Sequence, residues 1–249
     1  MEIINNNYSE LFGACRSGDI EVVDEILNTR VIIINVVDSD GNTPLILAVR
    51  NGHLNVVKRL LEHPNVDVNV SGTRGWTPLM WAILWMDPTY GDYLDIVRTL
   101  LQVPALQLGR CCDNGATALH YACLDNRISI LKLLCQDNRC NPAFVNKKDN
   151  DGYTALMRGV CMGHLDSVKE LDIEGTDYHT NNMSGTTLIE MARKRKKAQV
   201  FEYLMQRPNV DSLMVICAHI ISRYVTTIDD VESLQIPLTI KQFLARFVN

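Results

Sequence analysis

The chain lacks a long hydrophobic run. Nowhere do its 249 residues offer the roughly 20 consecutive apolar positions that a membrane-spanning helix needs. The opening MEIINNNYSE lacks the basic and apolar regions of a secretory signal. Glu2 stands where myristoylation requires glycine. The expectation is an intracellular protein, cytoplasmic, with no membrane attachment. An excess of positive charge is also missing: the formal net charge is -5, whereas nucleic-acid binders usually carry a basic face. Eight cysteines (Cys15, Cys111, Cys112, Cys123, Cys135, Cys140, Cys161 and Cys217) include no CxxC pair, and no histidine pair sits at zinc spacing. Without a secretory signal a disulfide framework is not expected in a chain this long. The cysteines read as reduced, small core hydrophobes. For the same reason the NxS triplets at Asn7, Asn69 and Asn182 are expected to carry no glycan. A GxSxG elbow, a phosphate loop and an HExxH pair are all absent. Neither catalysis nor a cofactor is expected.

What is present is apolar content and repetition. Hydrophobic residues make up 47% and charged residues 21%, enough for one continuous core. The element G-x-T recurs at Gly41–Thr43, Gly75–Thr77, Gly115–Thr117, Gly152–Thr154 and Gly185–Thr187. The threonines step by 34, 40, 37 and 33 residues, and a fixed period of this size marks a repeat architecture. The glycine permits the positive φ of a tight turn. The threonine hydroxyl caps a helix, and Pro44 and Pro78 sit at first helical positions, where a missing N–H does no harm. Leu45, Leu79, Leu119, Leu156 and Ile189 then point into a stack. Ala48, Ala82, Ala122, Gly159 and Ala192 let a neighbouring helix approach. A second helix follows, with Val56-Val57, Ile96-Val97 and Ile130-Leu131 leading to leucine pairs on one face. One such pair cannot bury its apolar face alone, so neighbours must stack.

These units resemble ankyrin repeats. The fullest match is DSDGNTPLILAVRNGHLNVVKRLLEH, from Asp38 to His63, against the family pattern D-x-x-G-x-T-P-L-H-x-A-x-x-x-G-H. A degenerate opening unit covers roughly residues 8 to 36, with Ala14, Gly18, Val22, Val23 and Leu27 in register. The array spans about residues 8–207 in about six units, the first and last degenerate. The second G-x-T unit carries an extra MDPTYGD, Met86 to Asp92, that reads as a loop. The fifth replaces its Gly-His turn with Arg193-Lys194-Arg195-Lys196-Lys197. The family's TPLH histidine survives only as His120, which predicts that most turns lose that hydrogen bond and that some repeats are loose.

After Pro208 the repeat phase ends. Residues 212–249 read as three short apolar helices, the second opened by a Thr227–Asp230 capping box. Leu213, Cys217 and Ile221 are spaced four and four and share one helical stripe. That stripe, with Ser212 before it, resembles the elongin-binding half of a SOCS box. The stretch LQIPLTIKQFL, Leu234 to Leu244, resembles the cullin-selecting half, with Ile236-Pro237 at its second Leu-Pro and Gln235 in place of its first proline. The chain therefore resembles the ankyrin repeat and SOCS box-containing family. That resemblance implies an all-α solenoid of helix-turn-helix units with β-turn tips, followed by a small three-helix box. It implies a substrate-recognition adaptor of an elongin–cullin–RING ubiquitin ligase. Ser212, Leu213, Cys217 and Ile221 would then meet elongin B/C. Leu234, Ile236 and Pro237 would meet the cullin, and an unidentified client protein would lie on the repeats. The rival is an ankyrin scaffold whose last helices cap the solenoid.

Client contacts are expected at turn tips and inner helices: Asp40, Asn42, Arg74, Trp76, Trp85, Asn114, Asp125, Tyr153, Met162, Lys194 and Arg195. Trp76 and Trp85 read as exposed anchors or as packing between repeats, since aromatics serve both. Trp81 reads as core. The run Arg193–Lys197 reads as a solvated turn, an acidic-client patch, or an import signal that would admit the nucleus. His120 and Cys123 share a helix but follow the repeat's structural register, and Asp229-Asp230 reads as capping.

Overall fold

The computed structural model describes residues 2–29, 31–84 and 92–206, with side chains from Tyr8 onward. Among the described residues there is no strand. Helices come in pairs: α1 (Glu2–Ser17) with α2 (Ile20–Thr29), α3 (Pro44–Arg50) with α4 (Leu54–Leu61), and α5 (Pro78–Leu84) with α6 (Tyr93–Leu101). Next come α7 (Ala118–Leu124) with α8 (Ile128–Gln136), a single turn α9 (Pro142–Val145), α10 (Ala155–Met162) with α11 (Leu165–Glu170), and α12 (Leu188–Lys194) with α13 (Ala198–Met205). α1 starts six residues before the expected boundary of the opening unit. The single turn α9 has no counterpart in the sequence reading: Asn141 caps it by accepting from the Phe144 N–H, and Pro142 follows at the first position.

Each described pair packs chiefly against its neighbours. First helices stack in the order α1, α3, α5, α7, α10, α12, and second helices in the order α2, α4, α6, α8, α11, α13. Leu45, Leu79, Leu119, Leu156 and Ile189 are all buried between the layers, as are Ala48, Ala82, Ala122 and Ala192. Truncating one such leucine would cost about 2–5 kcal/mol through lost transfer energy and a cavity. Cys15, Cys112, Cys123 and Cys161 are buried, and the seven described cysteines are free thiols. Burial pushes the Cys15 and Cys135 thiols up to about 12, so they sit as neutral packing groups. No helix among the described residues is long and apolar enough to cross a membrane.

The threonines cap as their sequence position requires. Thr43, Thr77, Thr154 and Thr187 hydroxyls accept from the N–H groups of Ile46, Met80, Met157 and Glu190 at 3.2–3.4 Å. Glu190 returns the bond to the Thr187 N–H, completing a capping box. Repeats without the TPLH histidine therefore keep their caps, and the expected loosening does not extend to them. Where the histidine is present it links repeats. Nδ1 of His120 accepts from the Thr117 N–H at 3.1 Å, and Nε2–H donates to the Tyr153 carbonyl at 2.9 Å.

At the Gly-His turns, His53 and His164 rings reach back to the carbonyls of Arg16 and Leu124 in the preceding pairs. In the basic run, Lys196 takes the glycine's place with φ 55, and Asn126 does the same in α7–α8 with φ 54. The bases of the units are laced by asparagines. Asn35, Asn69 and Asn146 each donate to one carbonyl of the next unit (Asn65, Ala105, Gly175) and accept from one N–H (Asp67, Gln107, Asp177). Gly109 occupies this position once. There Arg139, paired with Asp137, donates back to the carbonyls of Leu101, Val103 and Leu106 instead.

Candidate protein-binding face at the second turn tip

Each tip is a tight turn before a capping threonine. In most tips a side chain accepts from the turn's own N–H groups. Asp38 Oδ1 takes Asp40 and Asn42, Asp149 Oδ1 takes Asp151 and Tyr153, and Asn182 Oδ1 takes Ser184 and Thr186. The tip before α5 has Gly72 in that place and loses this ring of bonds. A side chain could not fit there: a Cβ on Gly72 would come within 2.6 Å of Asn42 Oδ1. The released turn tightens into a single 3₁₀ turn, Thr73–Gly75, with Arg74 at φ 61. It is held from both sides. The Thr73 hydroxyl donates to the Asp40 carbonyl, and the Asp113 N–H donates to the Arg74 carbonyl at 3.0 Å.

Left-handed backbone at Arg74 folds its guanidinium over Trp76, 5.6 Å from the ring centroid. Trp76 packs edge-on against Trp81 of α5 at 4.7 Å and against Tyr121 of α7 at 5.9 Å. Its Nε1–H donates to the Tyr121 hydroxyl at 3.1 Å, which fixes the ring. Arg50, the last residue of α3, lies 5.0 Å above Trp81. Burial, then the Cys112 thiol 3.2 Å away, push the Tyr121 phenol up to about 12, so it stays a neutral hydroxyl. Between the two tips remains a concavity of about 410 Å³, lined by Asp40, Arg50, Thr73, Arg74, Trp76 and Trp81. It is an aromatic floor with two guanidiniums on it.

The anticipated contacts divide. Arg74 and Trp76 come together at this concavity. Trp76 is half-buried and serves as both packing and surface; Trp81 is buried, as core. Asn42 is a correction. It is 1% exposed, with Gly72 lying against its carboxamide, so its side chain is not on the surface. Tyr153 lies two tips further on and is half covered by Arg158, 4.3 Å from its centroid, whose guanidinium is engaged by Asp149 and Asp151. Lys194 and Arg195 are exposed. At about 8–10 Å per packed helix they stand roughly 30 Å from Trp76 along the stack. Asp40, Asn114, Asp125 and Met162 are exposed on the same series of tips and inner-helix ends. Trp85 and nearly all of the Met86–Asp92 insert lie outside the described residues, as do Ser212, Leu213, Cys217, Ile221, Leu234, Ile236 and Pro237. Arg50 and Tyr121 were missed by sequence reasoning. Their signal was available: each falls on an inner helix, and the unit period aligns them beside Trp76 and Trp81. Among the described residues no group of three His, Cys, Asp or Glu side chains could hold a metal ion.

This arrangement, stacked helix pairs with a side-chain-rich tip face and threonine-capped first helices, is that of a repeat module for protein interaction. The family model for ankyrin repeats (3 copies) matches residues 11–106 and 89–182. The chain belongs to the ankyrin repeat family. Among solved structures it is similar to the ankyrin repeat protein EF0377, at 27% identity and a TM-score of 0.70, covering 79% of this chain and 96% of that one. An ankyrin repeat domain (ABAYE2397) from Acinetobacter baumannii AYE shares the fold at 24% identity and a TM-score of 0.67, over 77% and 94% of the two chains. A third similar structure is the Bd0816 predatory endopeptidase from Bdellovibrio bacteriovorus in complex with immunity protein Bd3460. It matches at 25% identity and a TM-score of 0.64, covering 78% of this chain and 97% of that one. No curated protein matches.

Proposed function

We propose that this protein is the substrate receptor of an elongin–cullin–RING ubiquitin ligase, an ankyrin repeat and SOCS box protein in arrangement. The observation that carries the reading is the two-part motif after the last helix pair. Ser212, Leu213, Cys217 and Ile221 match the elongin-binding stripe, and Leu234, Ile236 and Pro237 fall in order in the cullin-selecting half. The repeats supply the client end, with Arg74 and Trp76 foremost and Tyr153, Lys194 and Arg195 further along. Such a receptor performs no chemistry. It raises a client's effective concentration beside a charged ubiquitin-conjugating enzyme. The reading carries a cytoplasmic location, or a nuclear one if Arg193–Lys197 acts as an import signal.

Co-purification of elongin B/C with the full chain and with Leu213→Asp tests this. A central anchor carries about 2–4 kcal/mol of binding, so the variant is expected to lose elongin while its helical circular dichroism and melting stay unchanged. Elongin retained by the variant, or never bound by the native chain, overturns the ligase reading. The alternative is an ankyrin scaffold with its last helices as a cap, which terminal repeats need. Gln235, in place of the motif's first proline, favours it.

A further inference from the structure

The five tips align position by position, and the residue before each tip glycine is Asp40, Arg74, Asn114, Asp151 and Ser184. Four of these are acidic or neutral. Only Arg74 brings a cation to that position, and only its tip adopts the left-handed turn that lays the side chain over a tryptophan. Among the described residues no carboxylate lies within ion-pair distance of Arg74. Arg158 makes a useful contrast. It also stacks on an aromatic ring, but its guanidinium is occupied by Asp149 and Asp151. Arg74 also lies over a ring, at a longer 5.6 Å, and among the described residues carries no such partner.

A guanidinium held over an indole loses rotamer freedom in advance and still presents donors to the concavity. Its planar fork matches a carboxylate, with which a guanidinium makes charge-assisted, often bidentate hydrogen bonds. The floor of Trp76 and Trp81 is apolar and suits an aliphatic neighbour of the acid. Asp40 on the facing wall repels a second acid and accepts from a backbone or side-chain N–H, which sets the direction in which a segment lies.

From the geometry we infer that this concavity is a specificity pocket for an Asp or Glu side chain, flanked by an apolar residue, in an extended segment of a partner protein. The inference rests on reading the repeats as the client-binding end, and it does not depend on elongin.

Panning the full-length chain against a displayed random dodecapeptide library tests it, in parallel with Arg74→Glu, Arg74→Gln and Leu213→Asp. The native chain is expected to select peptides with Asp or Glu beside an apolar residue. The strongest of these, made as a free fluorescent peptide, is expected to bind Arg74→Glu about tenfold or more weakly, Arg74→Gln to an intermediate degree, and Leu213→Asp as well as the native chain. Arg74→Glu is expected to select Lys- or Arg-bearing peptides instead. Arg74 is exposed and makes no ion pair among the described residues, so both of its variants are expected to stay folded, with at most a small drop in melting temperature from the lost contact with Trp76. A selection without acidic bias, no selection at all, or an affinity indifferent to Arg74 overturns the pocket. So does a phosphoserine analogue that binds more than tenfold tighter than the carboxylate peptide, since it reassigns the pocket to phosphate. Loss of elongin binding without loss of peptide selection sinks neither this pocket nor the fold, and the reverse result sinks the pocket alone.

Discussion

Nε2 of His120 lies 2.9 Å from the carbonyl oxygen of Tyr153, the residue just before the capping threonine of the next repeat. One imidazole thus closes its own capping box through Nδ1 and pins the following tip through Nε2–H. The bond accepted at Nδ1 needs the neutral ring, whereas Nε2–H can donate in either protonation state. Burial, the largest influence, holds the His120 pKa below its ordinary 6.5. The folded state then binds fewer protons than the unfolded state once pH drops below that value. Stability contributed by the neutral ring is complete above about pH 6.5 and is lost as pH falls toward the depressed folded value. Urea midpoints at pH 7.5 and pH 5 should show this loss in the native chain, and His120→Gln should flatten it. At pH 7.5, His120→Ala should cost about 2 kcal/mol, because it strands the Thr117 N–H and the Tyr153 carbonyl. Equal pH dependence in His120→Gln would refute the assignment.

Asn42 buries its carboxamide with no hydrogen-bond partner for Oδ1 or Nδ2 among the described residues. An unpaired buried amide costs about 1–3 kcal/mol. Asn42→Leu, close in volume, is expected to raise unfolding stability by about 1 kcal/mol, read from chemical denaturation. A loss of stability would mean that an ordered water satisfies the amide.

Gly159 is the one glycine among the five small inner-helix residues. A Cβ there would meet Val168, Ser167 and Cys123 at 3.6–3.9 Å, ordinary contact distances. Alanine, which fills the same position in the other four units, should therefore fit. Gly159→Ala is expected to stabilise by about 0.5–1 kcal/mol through helix propensity and reduced unfolded-state freedom. A lower melting temperature for this variant would show that the α10–α11 contact is tighter than these distances.

The helical stack was legible because its determinants are local and periodic. Thr43 caps where G-x-T places it, and Leu119 and Ala122 face inward because they lie one helical turn apart. The tip surface was legible only in part. Trp76 announces itself by type, yet Asn42, a polar residue in a turn, reads as exposed and is buried. Its burial depends on Gly72, 30 residues away, which leaves room for the carboxamide. Arg50 and Tyr121 belong to the same floor as Trp76, but that follows from how helices align across repeats, and no single segment encodes it. The lacing role of Arg139 is hidden for the same reason: it reaches the Leu101, Val103 and Leu106 carbonyls of the unit in which Gly109 stands where the others have asparagine.

Nearest-neighbour stacking has a consequence for the aromatic concavity. Among the described residues, those that line it, from the Asp38 turn to Tyr121, sit in three consecutive helix pairs, and none from α10 onward is in its lining. The recognition element is thus a cassette of about 90 residues, set by the span from Asp38 to Asp125. Units could be added, removed or exchanged beyond it, and the cassette would travel intact into another array.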